Sequence, residues 1–489
     1  MNLEKYSLTP ILISAILLLI VAWQIATIQE GHTWGDDFSL YILQAKNLVE
    51  GHPYAETGYI VNPHTTVGIG PQTYPPALSI FLSPIYKYLG LNFFAMKIEM
   101  IFFLIMSLLA SYLLFKDKLS PNSLISLILI LGFNIYLCQI KNSILSDLPF
   151  LFLALQSLFF LEKLQTTSSK NIQKVYLLLS ALFIFMSIET RSIGWALIIT
   201  MLISNAFNKG KYLLSHLTII IIVVSLVLFQ HILLPIPNDY AEHFKLDPLL
   251  FLHNVLSYMK SLGLLWKNGY SRILNLLLFM LLTGFAIRGY WIRLQKQITY
   301  LEIFPIIYMG VICLWPVRQG IRFLIPIIPI YIFYMLKGME SFNNIRIKKI
   351  IFLFSSISIL ITYIACFTTC NFGPIPEGLG KKETIELFTY VKQNTNKDDV
   401  FVFFKPRALA LMTERKASGF HEPKNPSELF VYFEQISADY IILGPEKNEY
   451  LDKFSDDFKE HLQLVYNNSD FRVFKILSYP AIVQDNVAN

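Results

Sequence analysis

Two adjacent carboxylates, Asp36 and Asp37, follow an apolar run at 8–28 that is long enough to cross a bilayer. Counted from Asp37, Tyr41 and Ala45 stand at i+4 and i+8, so all three share one face of a helix. Gly51 and Pro53 end that helix. The predicted element is a short amphipathic helix at the membrane surface with an acid in its first turn. Such an acid either exchanges protons or simply suits a helix start, where the dipole favours negative charge. Further along stand Tyr74, Lys141, Asp147, Glu189, Arg191, Arg318 and Arg322. Arginine at a membrane edge suits phosphate, because its fork donates two hydrogen bonds at once.

The elements that must position these groups are membrane spans. Of 489 residues, 54% are hydrophobic and only 15% charged, with 39 phenylalanines. A soluble domain is nearer a quarter charged, so the composition is that of a polytopic α-helical membrane protein. The first apolar run is too long for a cleavable signal and no small-x-small site follows it. The net charge of +6 follows the loops, and no nucleic-acid partner is expected. Cys366 and Cys370 share a helical face near a membrane end, but two thiols do not make a metal site.

After 8–28, apolar segments occupy about 93–115, 121–139, 145–162, 174–189, 191–207, 212–234, 272–288, 299–315, 320–336 and 348–369. Glu189, Thr190 and Arg191 divide a stretch too long for one span into two, joined by a tight polar turn. The piece 76–89 is only about fourteen residues and opens on Pro75-Pro76, which suits an interfacial helix. Leaving it out gathers Lys116, Lys118, Lys163, Lys209, Arg288 and Lys337 into inner loops, as the positive-inside bias requires. The expectation is about eleven spans, N-terminus inside and C-terminus outside, with a first outer loop at 29–92. Asp36, Asp37, His64, Tyr74, Lys141, Asp147, Glu189, Arg191, Arg318 and Arg322 then all lie at outer ends. An outer loop at 235–271 adds Asp239, Glu242, His243, Lys245, Lys260 and Lys267. Basic residues outside run against the orientation bias, and an anionic ligand at that face is one reason for them.

From about 371 the composition becomes that of a small α/β domain, 371–489, following a membrane domain, 1–370. Helices are expected at 381–393, 407–413, 426–437 and 446–462, and strands at 400–404, 440–443, 463–466 and 471–476. It contains no glycine-rich phosphate loop, metal spacing or nucleophile elbow.

The chain resembles the GT-C membrane glycosyltransferases that use polyprenyl-phosphate sugars, among them protein O-mannosyltransferases and lipid A aminoarabinose transferases. The resemblance covers most of the membrane region. It rests on D-x3-Y-x3-A at Asp37, Tyr41 and Ala45, then NLVEG and YPPALSIFLSPIYKYLGLNFFAMKI. Weaker echoes follow in SDLPFLF (Asp147, Pro149), TRSIGW (Thr190, Arg191, Gly194) and RFLIPIIPIY (Arg322, Pro326, Pro329).

The resemblance implies a general base in the first outer loop, at Asp37, with Asp36 as the alternative one register away and Asp147 or Glu189 next in line. Candidates for the donor site are Tyr41, Tyr74, Arg191, Arg318 and Arg322, with Lys141 behind them, the arginines because their fork suits phosphate. An acceptor hydroxyl must lose a proton as it attacks the anomeric carbon, from the face opposite the phosphate as in inverting glycosidases. The leaving phosphate is already anionic, so it needs cations and no general acid. Each residue has a plainer reading: Ser146 or Asp147 as a helix cap with Pro149 in the first turn, Arg191 paired with Glu189, Arg318 and Arg322 as interfacial anchors, and His64 as a loop histidine.

The expected partners are a polyprenyl-phosphate sugar, a glycan, lipid or protein acceptor, and membrane lipid. The sequence fixes no cofactor, and a divalent metal stays open. Richness in Ile, Lys, Asn and Phe points to an AT-rich bacterial genome, hence to undecaprenyl phosphate in the inner membrane. A transporter of a lipid-linked anion is the rival from another class, although transporters place ionisable groups near mid-bilayer. A polymerase or oligosaccharyl transferase using a diphosphate-linked donor is the rival within the fold.

Overall fold

The computed structural model describes residues 4–65, 71–236, 246–267, 271–445 and 448–480. Asp239, Glu242, His243 and Lys245 lie outside the described residues. Each of the eleven apolar segments is helical. They comprise α1 (Glu4–Ala26), α4 (Phe93–Phe115), α5 and α6 (Pro121–Gly132, Ile135–Ile140), α7 (Asp147–Thr166), α8 (Lys170–Thr190), α9 (Trp195–Phe207) and α10 (Leu213–Leu233). The rest are α12 (Arg272–Lys296), α13 (Tyr300–Leu314), the 3-10 segment Gly320–Ile327 running into α14 (Ile328–Glu340), and α15 (Ile345–Thr369). Among the described residues, seven helices are by themselves long and apolar enough to cross a membrane, and α5 with α6 makes an eighth bent by 44°. Ser192–Phe207 and Tyr300–Leu314 are shorter apolar helices. The chain is a multi-pass membrane protein.

The breaks have local causes. Between α5 and α6, the Asn134 side chain accepts from the amides of Tyr136 (3.0 Å) and Leu137 (3.3 Å), starting a new helix in a new direction. Between α8 and α9, Arg191 is extended and Gly194 lets the chain turn back tightly. A Cβ there would lie 2.7 Å from the Ile188 backbone nitrogen, so the polar turn needs its glycine.

The first loop carries α2 (Asp37–Glu50) and α3 (Ala77–Leu89), which pack on each other. With 13 residues, α3 is too short to cross a bilayer. The segment 235–271 differs from the expected loop, because it holds α11 (Pro248–Gly263). Asp247 accepts from the amides of Leu249 (2.9 Å) and Leu250 (3.3 Å), and Pro248 opens the first turn, an ordinary helix start.

The C-terminal part carries α16 (Lys382–Asn394), α17 (Pro406–Thr413), α18 (Glu428–Gln435) and α19 (Glu449–Asp457). Its sheet has six strands: β1 (Tyr59–Ile60), β2 (Val400–Val402), β3 (Lys416–Ser418), β4 (Tyr440–Leu443), β5 (Leu462–Asn467) and β6 (Arg472–Ile476). Their order is β1-β3-β2-β4-β6-β5, parallel from β1 to β4 and antiparallel across β6 and β5. Neither β3 nor β1 is legible from pattern, being three and two residues long, and β1 belongs to the first loop. That loop is therefore stitched into the sheet. Trp34 strengthens the join, its ring 5.2 to 6.2 Å from those of Phe388, Phe403, Phe404 and Phe471. One apolar core runs unbroken from the spans to Leu387, Phe401 and Ala408.

Candidate active site

Two buried lysines pin the chain that leads from α1 to the acids. Lys141 donates to the Gln24 carbonyl and the Thr27 hydroxyl (2.5 Å each), at the carbonyl end of α1 where a cation is favoured. Lys97 donates to the carbonyls of Gln29 (2.7 Å) and Gly31 (2.6 Å). With its entry fixed, α2 starts where Asp37 meets side chains from three distant parts of the chain.

Asp37 Oδ1 accepts from the Tyr74 hydroxyl at 2.7 Å, and Oδ2 from Arg322 Nη1 at 3.0 Å. Arg322 also donates from Nε to Asp147 Oδ2 at 2.8 Å. Arg191 donates from Nη1 to the other oxygen of Asp147, and its guanidinium lies 5.2 Å from the Phe323 ring centre. Asp36 points elsewhere, accepting from the Ala408 amide (3.3 Å) with Arg407 Nε 3.6 Å away. The ring of Tyr41 stacks on Tyr74 at 4.5 Å, and its hydroxyl donates to Ser146 at 3.0 Å.

None of these acids caps the helix it precedes or begins. Neither Asp36 nor Ser146 makes a side-chain cap bond, and both oxygens of Asp147 go to arginine. Arg191 pairs with Asp147, although Glu189 stands two residues away.

Three acids and three arginines balance here. Asp147 and Arg407 are fully enclosed, whereas the Asp37 side chain keeps 31% of its exposure. Burial pushes the Asp36 carboxyl above its usual range, with Arg407 and Lys405 pulling the other way. Burial acts likewise on Asp37, but Arg322, Arg407 and the Tyr74 hydrogen bond overcome it and hold this carboxyl below its usual range. Two neighbouring acids are thus driven apart, which leaves Asp37 ionised and reachable.

Arg322 spends Nε and Nη1 on the two acids, and Arg191 spends Nη1. Nη2 of Arg322, and Nε and Nη2 of Arg191, have no protein acceptor among the described residues. They remain donors for an anion.

Comparisons with known proteins agree on the architecture. No protein-family model and no curated protein matches the sequence. ArnT from Cupriavidus metallidurans, in its structure bound to undecaprenyl phosphate, is similar over 95% of this chain and 97% of its own, at 10% identity and a TM-score of 0.60. The oligosaccharyltransferase of Archaeoglobus fulgidus is similar over 88% of this chain and 69% of its own, at 12% identity and a TM-score of 0.55. The chain has the GT-C fold.

Within that GT-C fold, Asp37, Asp36, Asp147, Tyr41, Tyr74, Arg191 and Arg322 converge as described. Lys141 does not join them, since its ammonium is spent on α1. Arg318 also stands aside. Arg318 and Arg322 would share a face in an unbroken helix, but Gly320, with a φ of +55°, turns the chain between them. Arg318 therefore points to His253 of α11. Glu189 is buried at the end of α8, and His64 lies beside His421 with tilted rings whose centres are 4.9 Å apart.

Arg407 is the residue that sequence reasoning missed. The one available signal was an arginine at the start of an otherwise apolar short helix, PRALALMT.

A related structure of the Archaeoglobus protein holds zinc and sulfate. Among the described residues of this chain, no three His, Cys, Asp or Glu side chains gather as metal ligands. The carboxylates at the centre are already neutralised by guanidinium groups, so this donor set does not fit a divalent cation.

Proposed function

We propose that this chain is an inverting membrane glycosyltransferase, moving a sugar from a polyprenyl-phosphate donor to an acceptor hydroxyl. The observation that carries the proposal is the shared guanidinium of Arg322, which joins a half-buried, ionised Asp37 to an enclosed Asp147. Asp37 is the base, and Arg322 with Arg191 forms the phosphate site. The ArnT structure bound to undecaprenyl phosphate supports a polyprenyl carrier.

The acceptor oxygen attacks the anomeric carbon while its proton passes to Asp37. The bond from that carbon to the phosphate oxygen breaks, and the phosphate leaves with the electron pair. As Asp37 becomes neutral its hold on Arg322 weakens, so the guanidinium charge turns to the departing phosphate as that charge develops. Asp147 keeps the arginine in place throughout. Tyr74 aims the carboxylate, and Tyr41 supports Tyr74 by stacking.

The proposed setting is a bacterial inner membrane, with the N-terminus in the cytoplasm and residues 371–489 forming an outer domain. The acceptor is a glycan, lipid or protein. The likeness to an oligosaccharyltransferase favours, as the second reading, a diphosphate-linked donor at the same site.

The test uses the full chain in lipid nanodiscs, supplied with a bacterial lipid extract containing undecaprenyl-phosphate sugars and a cell-envelope acceptor fraction. Release of undecaprenyl phosphate is measured. Asp37→Asn keeps the shape and cannot take the proton, so it should bind donor and lose transfer by roughly a thousandfold or more. Asp36→Asn should lose much less. Near-normal release by Asp37→Asn overturns the proposal. If Asp36→Asn is the inactive one, the base is Asp36.

A further inference from the structure

Arg407 reaches the site from α17, in the C-terminal part, and is fully buried. Its guanidinium lies between two rings of the first loop, 4.5 Å from Tyr59 and 5.5 Å from Tyr74. It donates from Nη2 to the Pro71 carbonyl at 2.6 Å, and from Nη1 to the Tyr74 hydroxyl at 3.4 Å. That hydroxyl is the one that donates to Asp37. Nη1 also lies 3.6 Å from Asp37 Oδ1. Burying an arginine is costly unless charged and polar partners offset the lost hydration, and here those partners are the first loop and the two acids.

The rest of α17 keeps the arginine in register with α2. At the near end the Ala408 amide donates to Asp36. At the far end Lys46 of α2 reaches Glu414, just beyond α17, at 2.5 Å. Two contacts along two short helices fix both distance and rotation, so α2 is held by a helix from the distal end of the chain.

We propose that Arg407 is a positioning residue for Asp37, acting through the Tyr74 hydroxyl, and that the C-terminal part is thereby a component of the active site. The proposal rests on Asp37 being the base. Arg407 orients Tyr74 so that its proton points at Oδ1, leaving Oδ2 to Arg322, and its charge keeps Asp37 ionised. Asp36 then has a role distinct from its neighbour: it is the counter-ion that holds Arg407. The other groups facing the pair are Arg322 from the 3-10 segment, Asp147 from α7 behind it, Arg191, Tyr41, Tyr59 and Lys405. Arg322, Asp147, Arg191 and Tyr41 each have hydrogen-bond partners other than Arg407.

The decisive measurement is an infrared titration of the Asp37 carboxyl in the full chain in nanodiscs, assigned by difference from Asp37→Asn. Replacing Arg407 by glutamine removes a cation within 4 Å, so the Asp37 midpoint should rise by about one pH unit or more. Arg407→Lys should return it most of the way. Release of undecaprenyl phosphate should fall roughly tenfold to a hundredfold in kcat for Arg407→Gln, with little change in donor KM. Because Arg407→Gln leaves Asp36 uncompensated and can fail to fold, the pair Arg407→Gln with Asp36→Asn removes both charges; its midpoint should still rise, by less than in Arg407→Gln, because losing the neighbouring Asp36 anion lowers it in part.

A residue that merely holds the fold lowers thermal stability and leaves the midpoint where it was. An unmoved Asp37 midpoint in the folded variants overturns the inference, whatever the rate. An active Asp37→Asn instead overturns the assignment of the base and leaves the Arg407 titration result standing, so the two failures are distinguishable.

Discussion

Arg322 and Asp37 are 285 positions apart in the chain, yet Nη1 of the arginine lies 3.0 Å from Oδ2 of the acid. The same guanidinium holds Asp147 through Nε at 2.8 Å. A carboxylate that is ionised but paired is a weaker base than a free one. It gains direction, and it shares its partner with the group that must accept the departing charge. Proton uptake and phosphate release are thereby coupled through one side chain.

The two arginines of the segment before α14 should separate in their effects. Arg322→Ala should weaken binding of undecaprenyl phosphate by about tenfold or more, as loss of a charged hydrogen bond does. Arg322→Lys should recover only part, since a point charge replaces a fork. Arg318→Ala should change affinity little, because Arg318 is directed to His253. Ligand-induced thermal shift with undecaprenyl phosphate measures all three, and equal losses for Arg318 and Arg322 would place the phosphate across both.

Lys141 should matter for stability and not for the donor. Its ammonium is enclosed against the end of α1, so Lys141→Met leaves the Gln24 carbonyl and the Thr27 hydroxyl without that partner. The expected cost is about 1 to 3 kcal/mol of stability, read as a lower melting temperature in detergent. Affinity for undecaprenyl phosphate should stay as it was, and a loss of affinity at unchanged stability would return Lys141 to the donor site.

His32 should give the protein an acid-sensitive step. It is buried and stacked on Phe38 with ring centres 3.6 Å apart, and burial lowers its pKa to about 4. The unfolded chain takes up a proton near pH 6.5, whereas the folded chain resists until about pH 4. The stability is therefore present above pH 6.5 and lost as pH falls toward 4, by on the order of 3 kcal/mol. Melting temperatures across that range should fall for the native chain and stay flatter for His32→Leu. Parallel curves would assign the acid sensitivity to other groups.

Much of this arrangement was legible from local pattern. The apolar segments are long enough to be unmistakable, and their charge asymmetry separates 76–89 from the spans. The register Asp37, Tyr41, Ala45 marked α2 correctly because helix periodicity is a local property. Strands β1 and β3 were not legible, since two or three residues carry no period and form only against a neighbour. The helix α11 was announced by Asp247 and Pro248, but a stretch bounded by charges reads as loop.

What the sequence by itself determined is the set of helices, the end of the bundle at which acids and arginines collect, and the identity of the acid on the Tyr41 face. Only the tertiary structure decided which cation meets which acid. Arg322 rather than Arg318 reaches Asp37 because Gly320 turns the chain between them. Asp147 rather than Glu189 takes Arg191 because that arginine follows the end of α8 in an extended conformation. Arg407 arrives from a helix more than 350 residues beyond α2. Ion pairing depends on separations of a few ångströms, and Coulomb energy falls with distance in space, to which distance along the chain is no guide.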